Sequence, residues 1–283
     1  MRKDILLPVL ALTGGAAGFF LRRWQLAAAY RPEAGLFIHG APSTLALLGL
    51  LGMLAVIFLL LIWDKGEKPA DFLAAFRCPE AGQMALLAAA GLLLMAAGAL
   101  GLWQSLQSVP LWRLAPEEYQ LSTLAARLLA AALCLPAGAA ILLMGRMTYR
   151  DELNDAACRL APMPAFAGLV WLFACHLKHG IEPVLMKYGF ALAAALLLTL
   201  AHYYIAGFLF DRPCRRRAAF LSLMGAVLGI VSLADRPDLF SAVAFLAYSL
   251  SALAFARALL RATFGPPWPK RLEGRMPPPE EEM

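Results

Sequence analysis

Few residues in this chain combine a reactive type with a position where chemistry is expensive to hold. Arg127 is the first. It stands inside the apolar run 121–144, roughly 9 Å below Leu121 at 1.5 Å per residue. A guanidinium at that depth costs about 2.5–3.5 kcal/mol on insertion scales, less where it snorkels. Its helical neighbours Thr123, Ala130, Ala131 and Cys134 make a small, partly polar face, so that face is expected to look into a bundle. Glu182 or Glu118 is the expected counter-charge. An ion pair that sets helix register is favoured over contact with an anion or substrate.

His202 is the second. It lies thirteen residues into an apolar run that opens near Gly189, about 20 Å along a helix. Thr199 and Ala206 share its face, and Tyr203 and Tyr204 follow it directly. A hydrogen-bonded buried histidine is the default for such a position; a proton relay or ligand contact is the sharper alternative. A bis-histidine haem needs two histidines at one depth. His176 and His179 fall at the far end of the preceding run, on the order of 15–20 Å away along the helices, and His39 is in a loop. No haem is therefore expected. His176, Lys178, His179 and Glu182 form a solvated interfacial cluster more readily than a metal site, since an i, i+3 histidine pair is a weak ligand signal.

The remaining signatures are absences. There is no phosphate-binding loop, no zinc-protease histidine pair, no nucleophile elbow and no dinucleotide glycine fingerprint. Paired carboxylates within apolar runs are missing too. The expectation is a protein with no catalytic set and no cofactor. The five cysteines, Cys78, Cys134, Cys158, Cys175 and Cys214, show neither ligand spacing nor a disulfide pattern.

The elements that would position these residues follow from composition. Of 283 residues, 61% are hydrophobic and 16% charged, and the mean hydropathy is +0.68. A soluble domain carries about 45–50% apolar and about 25% charged residues. A helix needs about 20 apolar residues to cross the bilayer hydrocarbon. Eight runs qualify, at 5–21, 44–63, 84–103, 121–144, 161–177, 189–210, 218–234 and 239–256. They are continuous and rich in Ala and Leu, which argues for helices over strands. The fold class is thus all-α: a polytopic transmembrane bundle over 1–263, with 264–283 read as a disordered tail rich in proline.

Lysine and arginine set the orientation. Seventeen of the 25 fall on the side of the N-terminus, seven on the other, and Arg127 lies within a span. Both termini are expected to be cytoplasmic by the positive-inside rule. The densest basic cluster, Arg212, Arg215, Arg216 and Arg217, then faces anionic lipid, at roughly 1 kcal/mol per basic residue. The lipid bilayer is the first expected partner. Nucleic acid is not, because no soluble basic domain exists. Arg22, Arg23 and Trp24 suit an interfacial anchor after the first span, read as uncleaved. Residues 22–43, punctuated by Pro32, Gly35, Gly40 and Pro42, predict a short hairpin or cap. Residues 149–158 predict an amphipathic surface helix. Gly14 and Gly18, Ala97 and Gly101, and Gly225 and Gly229 have the spacing of close helix packing within one bundle.

Residues 18–28, GFFLRRWQLAA, and 200–210, LAHYYIAGFLF, together with the eight-span layout, resemble an uncharacterised family of bacterial multi-pass membrane proteins. The resemblance covers most of the chain. It implies a bacterial plasma (inner) membrane and transfers no functional residue.

Two functions fit. One is a non-catalytic membrane sensor, scaffold or partner subunit, with a membrane-protein partner. The alternative is a transporter or permease for a small anionic or amphipathic solute, using Arg22, Arg23 and Arg127 near one face and His202 deeper, with Tyr203 beside it. The transporter reading requires a polar cavity that reaches the midplane and is lined by Arg127 or His202.

Overall fold

A computed structural model describes residues 2–31, 33–64, 66–114, 120–179 and 184–266. Within them lie ten α-helices and one two-stranded ribbon. Eight stretches are long and apolar enough to span a membrane, and they make an all-α polytopic bundle. The long helices are α1 (Lys3–Ala28), α2 (Pro42–Ile62), α4 (Ala81–Leu114), α5 (Leu121–Arg150), α7 (Met163–His179), α8 (Leu185–Gly207), α9 (Arg215–Ser232) and α10 (Leu239–Phe264). Two short helices, α3 (Phe72–Phe76) and α6 (Asp155–Leu160), lie at the end of the bundle that carries the N-terminus.

The helices outrun the charge-free stretches that announce them. α1 continues seven residues past Leu21, α4 passes Pro110 to reach Leu114, and α10 continues to Phe264. A charge does not end a helix when the helix face that carries it meets a partner, as Arg22 does in α1 and Arg257 and Arg261 do in α10. The arginines at 215–217, expected in a loop, form the first turn of α9. The predicted surface helix at 149–158 is shorter and later: α5 continues to Arg150, Asp151 terminates it at φ +59°, and α6 begins only at Asp155. Asn154 starts α6 by accepting from the Ala156 and Ala157 amides at 2.9 and 3.3 Å. Residues 22–43 resolve into the end of α1 and a ribbon pairing Tyr30 with Phe37 and Arg31 with Leu36. Gly35, at φ +65°, supplies the left-handed turn that ribbon needs. The expected tail beyond residue 266 lies outside the described residues.

Helix α10 is the hub. It packs against α4, α9, α1 and α8, and Trp171 of α7 lies edge-on to its Phe245 and stacked on its Tyr248. In α9 and α10, 72% of the most apolar window is buried, against 28% in α2, which sits on the outside against α1 and α9. Lipid tails are as apolar as leucine, so helix association here rests on close packing and interhelical hydrogen bonds. Glycine supplies the closeness. A Cβ on Gly91 would stand 2.7 Å from the Gly138 carbonyl oxygen, and one on Gly98 2.7 Å from that of Ala131, so α4 and α5 meet backbone to backbone. The expected small-residue pairs do the same work inside the bundle. Gly14 faces Leu54, Gly18 faces Val231, Gly101 faces Ala131 and Phe240, Gly225 faces Leu198, and Gly229 faces Ser249.

The outer surface is apolar, with Phe20, Leu60, Phe166 and Phe173 all exposed. A water-soluble monomer rarely exposes such a continuous belt. Trp24 at one end and Trp63 at the other are also exposed, where indole rings favour the membrane interface.

Candidate functional site

The end of the bundle opposite the N-terminus gathers most of the singled-out residues. Its centre is Arg22. The sequence suggests an interfacial anchor; instead the side chain is fully buried. It donates from Nε to Asp235 Oδ1 at 2.7 Å, from Nη1 to Gln25 Oε1 at 2.7 Å, and from Nη2 to the carbonyls of Met186 and Lys187 at 3.1 and 3.2 Å. The guanidinium lies 4.7 Å from the Phe190 ring centroid and 5.7 Å from that of Phe37. One cation thereby joins α1, α8, the ribbon and the turn before α10. Gln25, one helical turn on, passes the network to α2 by donating to Thr44 Oγ1 at 2.9 Å. Arg23 points the other way and is exposed, so it and Trp24 are the anchor that the sequence assigned to all three.

Arg127 forms the second node. It donates to Gln104 Oε1 at 2.6 Å and to Asp238 Oδ1 at 3.2 Å. Asp238 is its described counter-charge; the expected partners, Glu182 and Glu118, lie outside the described residues. Lys178 reaches the other carboxylate oxygen of Asp238 at 3.0 Å. Asp238 also caps α10, accepting from the Ser241 amide at 3.1 Å. Burial opposes ionisation of this carboxyl, but Lys178, Arg127 and the Ser241 amide outweigh it and hold it below the usual carboxylate range. The face of α5 below Arg127 is inward as anticipated, with Ala130, Ala131 and Cys134 all buried.

Between the two nodes lies a cavity of about 230 Å³, lined among others by Lys178, His179, Lys187, Tyr188, Asp235 and Asp238. The ring of His179 stacks on Tyr188 at 5.2 Å. His176 is exposed and does not line this space, so the anticipated histidine pair is split. Among the described residues no group of three His, Cys, Asp or Glu side chains is placed to hold a metal ion.

His202 sits apart, five residues before the end of α8, and is buried. Its Nδ1 is 2.8 Å from the Leu198 carbonyl oxygen, which can only accept, so Nδ1 carries the proton. Nε2 is then the acceptor, 2.8 Å from Ser251 Oγ of α10. The Ser251 hydroxyl has one proton and two acceptors, this nitrogen and the Tyr248 carbonyl at 3.0 Å. The imidazole meets the Tyr248 ring edge-on at 5.0 Å, and the Tyr248 hydroxyl donates to the Pro164 carbonyl at 2.8 Å. A polar thread therefore ties α7, α8 and α10 together. Tyr203, next to His202, points away from it and is exposed.

Sequence reasoning passed over Asp235, Asp238, Gln25, Gln104 and Ser251. The signal was present for two of them. Asp235 and Asp238 flank Arg236 and Pro237 in the shortest loop on that side, and counting only basic residues hid them. The site as assembled pairs Arg22 with Asp235, and both Arg127 and Lys178 with Asp238. No family model, curated protein or solved structure matches this chain.

Proposed function

We propose that this chain is a non-catalytic subunit of a bacterial plasma membrane, acting as a sensor, scaffold or partner for another membrane-associated protein, with both termini in the cytoplasm. One observation carries this reading. His202 is buried and enclosed by Leu198, Ser251 and Tyr248, and both ring nitrogens are engaged within the bundle. Helices α7, α8 and α10 are thus joined by polar links that engage these groups within the bundle. A transporter asks for a midplane cavity lined by Arg127 or His202; neither residue lines any of the four described cavities. The lysine and arginine asymmetry supports the orientation.

The test is native mass spectrometry of the protein extracted gently from its own membrane. A stoichiometric protein partner is the expected result. A chain that emerges alone, or with a bound water-soluble metabolite and no protein, overturns the subunit reading. Uptake of that metabolite into proteoliposomes would then establish transport in its place.

A further inference from the structure

The N-terminal end of the bundle holds two classes of cation. Lys3, Arg77, Arg257 and Arg261 each reach a carboxylate: Asp64, Asp151 and, for the last two, Glu80. The cluster at the start of α9 does not. Arg215 donates to the Glu67 carbonyl at 2.6 Å, Arg216 to the Trp63 carbonyl at 3.1 Å while lying over the Trp63 ring, and Arg217 to the Tyr204 hydroxyl at 3.0 Å. Among the described residues, neither these three nor Arg212 pairs with a carboxylate. Three of them also occupy the first turn of α9, where helix dipoles disfavour positive charge and where no acidic residue offsets them. Like charges gathered without an acid, at the positive end of a helix, are stabilised by an anion from outside.

The space for it is present. A cavity of about 420 Å³ is lined by Arg212 and Arg217 together with Ala165, Tyr203, Tyr204 and Phe210. A second, of about 540 Å³, adjoins it through Cys214 and Arg217 and adds Lys68, Arg215 and Arg216. Tyr203 lies four residues before the end of α8, about 6 Å into the span. It and Phe210 are exposed on the surface that faces hydrocarbon. The first cavity therefore crosses from charged to apolar surroundings over the depth of a headgroup.

We propose that this paired cavity binds an anionic phospholipid. Arg212 and Arg217 hold its phosphate, Arg215, Arg216 and Lys68 extend the positive field over its headgroup, and its acyl chains run out past Tyr203 and Phe210 between α7 and α8. Free phosphate would satisfy the arginines but not the apolar wall.

The experiment titrates full-length, delipidated protein in detergent with dioleoyl phosphatidylglycerol, with dioleoyl phosphatidylcholine and with inorganic phosphate. Retained lipid is read by native mass spectrometry and protection by thermal melting. Phosphatidylglycerol is expected to be retained and to raise the melting temperature, and phosphatidylcholine to do neither. Each arginine removed, as Arg212→Gln or Arg217→Gln, is expected to weaken retention about fivefold. Arg77→Gln, at the same end but already ion-paired, leaves retention unchanged. Equal retention of phosphatidylcholine overturns the proposal, as does undiminished retention by the Arg212→Gln/Arg217→Gln variant. Protection by inorganic phosphate equal to that by phosphatidylglycerol shows an anion site and overturns the lipid assignment. If the double variant fails to fold, Arg212→Gln alone decides. Its exposed side chain makes no hydrogen bond to any described residue, so its loss leaves the fold intact.

Discussion

Arg22 and Arg217 are both arginines near the end of a spanning helix, and they do opposite things. Arg22 is sealed from solvent and makes four hydrogen bonds, one of them to a carboxylate. Arg217 is exposed and leans on a tyrosine hydroxyl at the mouth of a cavity. The difference is whether the fold supplies the counter-charge. Where it does, at Asp235 and Asp238, the cation ties helices together. Where it does not, the cation remains available to something outside the chain. A basic residue near a membrane surface is thus read by its partner, not by its type.

The strongest way to break this comparison is to remove Arg22. Arg22→Met leaves Asp235 and Gln25 without their donor, and losing one member of a buried pair costs about 3–5 kcal/mol. The expected result is a large drop in melting temperature, or loss of the monodisperse peak in size-exclusion chromatography. Asp235→Leu added to Arg22→Met removes the orphaned acid and is expected to regain much of the loss. An unchanged melting temperature for Arg22→Met would overturn the reading of Arg22 as a cation that ties helices together.

Ser251→Ala is next. It deprives His202 Nε2 of its hydrogen-bond partner inside the bundle, worth about 1–3 kcal/mol. Thermal unfolding followed by circular dichroism checks it, and partner binding should persist in whatever fraction remains folded.

Asp238 sharpens the comparison through pH. Its carboxyl titrates below the ordinary range in the folded chain, so the Arg127–Asp238–Lys178 node stabilises the fold at pH values above that range. That contribution is lost as pH falls through the lowered value. Melting temperature against pH should therefore fall less steeply on the acid side in Asp238→Asn than in the parent. Arg127→Ala leaves Lys178 on the same carboxylate in a half-exposed setting, and is expected to cost about 1 kcal/mol or less.

Arg217→Gln in lipid-free detergent is the smallest effect. It removes an exposed charge with no acid partner among the described residues, so the melting temperature should match that of the parent. The same variant is expected to retain phosphatidylglycerol about fivefold more weakly. An arginine whose removal matters only when lipid is present is the counterpart of Arg22.

Several features were legible in the chain. The hairpin between α1 and α2 was announced by Gly35 and the prolines around it. The inward face of α5 was announced by the small residues one and two turns below Arg127. The buried, hydrogen-bonded state of His202 followed from its depth. The burial of Arg22 was not legible, because a twin arginine next to tryptophan has the pattern of an interfacial anchor, and only Arg23 and Trp24 play that part. The backbone contact at Gly91 and Gly138 was also missed, since their spacing falls outside the four-residue intervals that flag close packing.

The sequence by itself determined that the chain is an eight-span helical bundle, because spanning depends on consecutive residues. Twenty apolar side chains in a row match the thickness of hydrocarbon whatever surrounds them. Tertiary structure alone decided where each charge finds its match. Arg22 meets an aspartate 213 positions away, and Arg127 one that is 111 away. No local pattern encodes such distances. They are set by how the helices pack against one another.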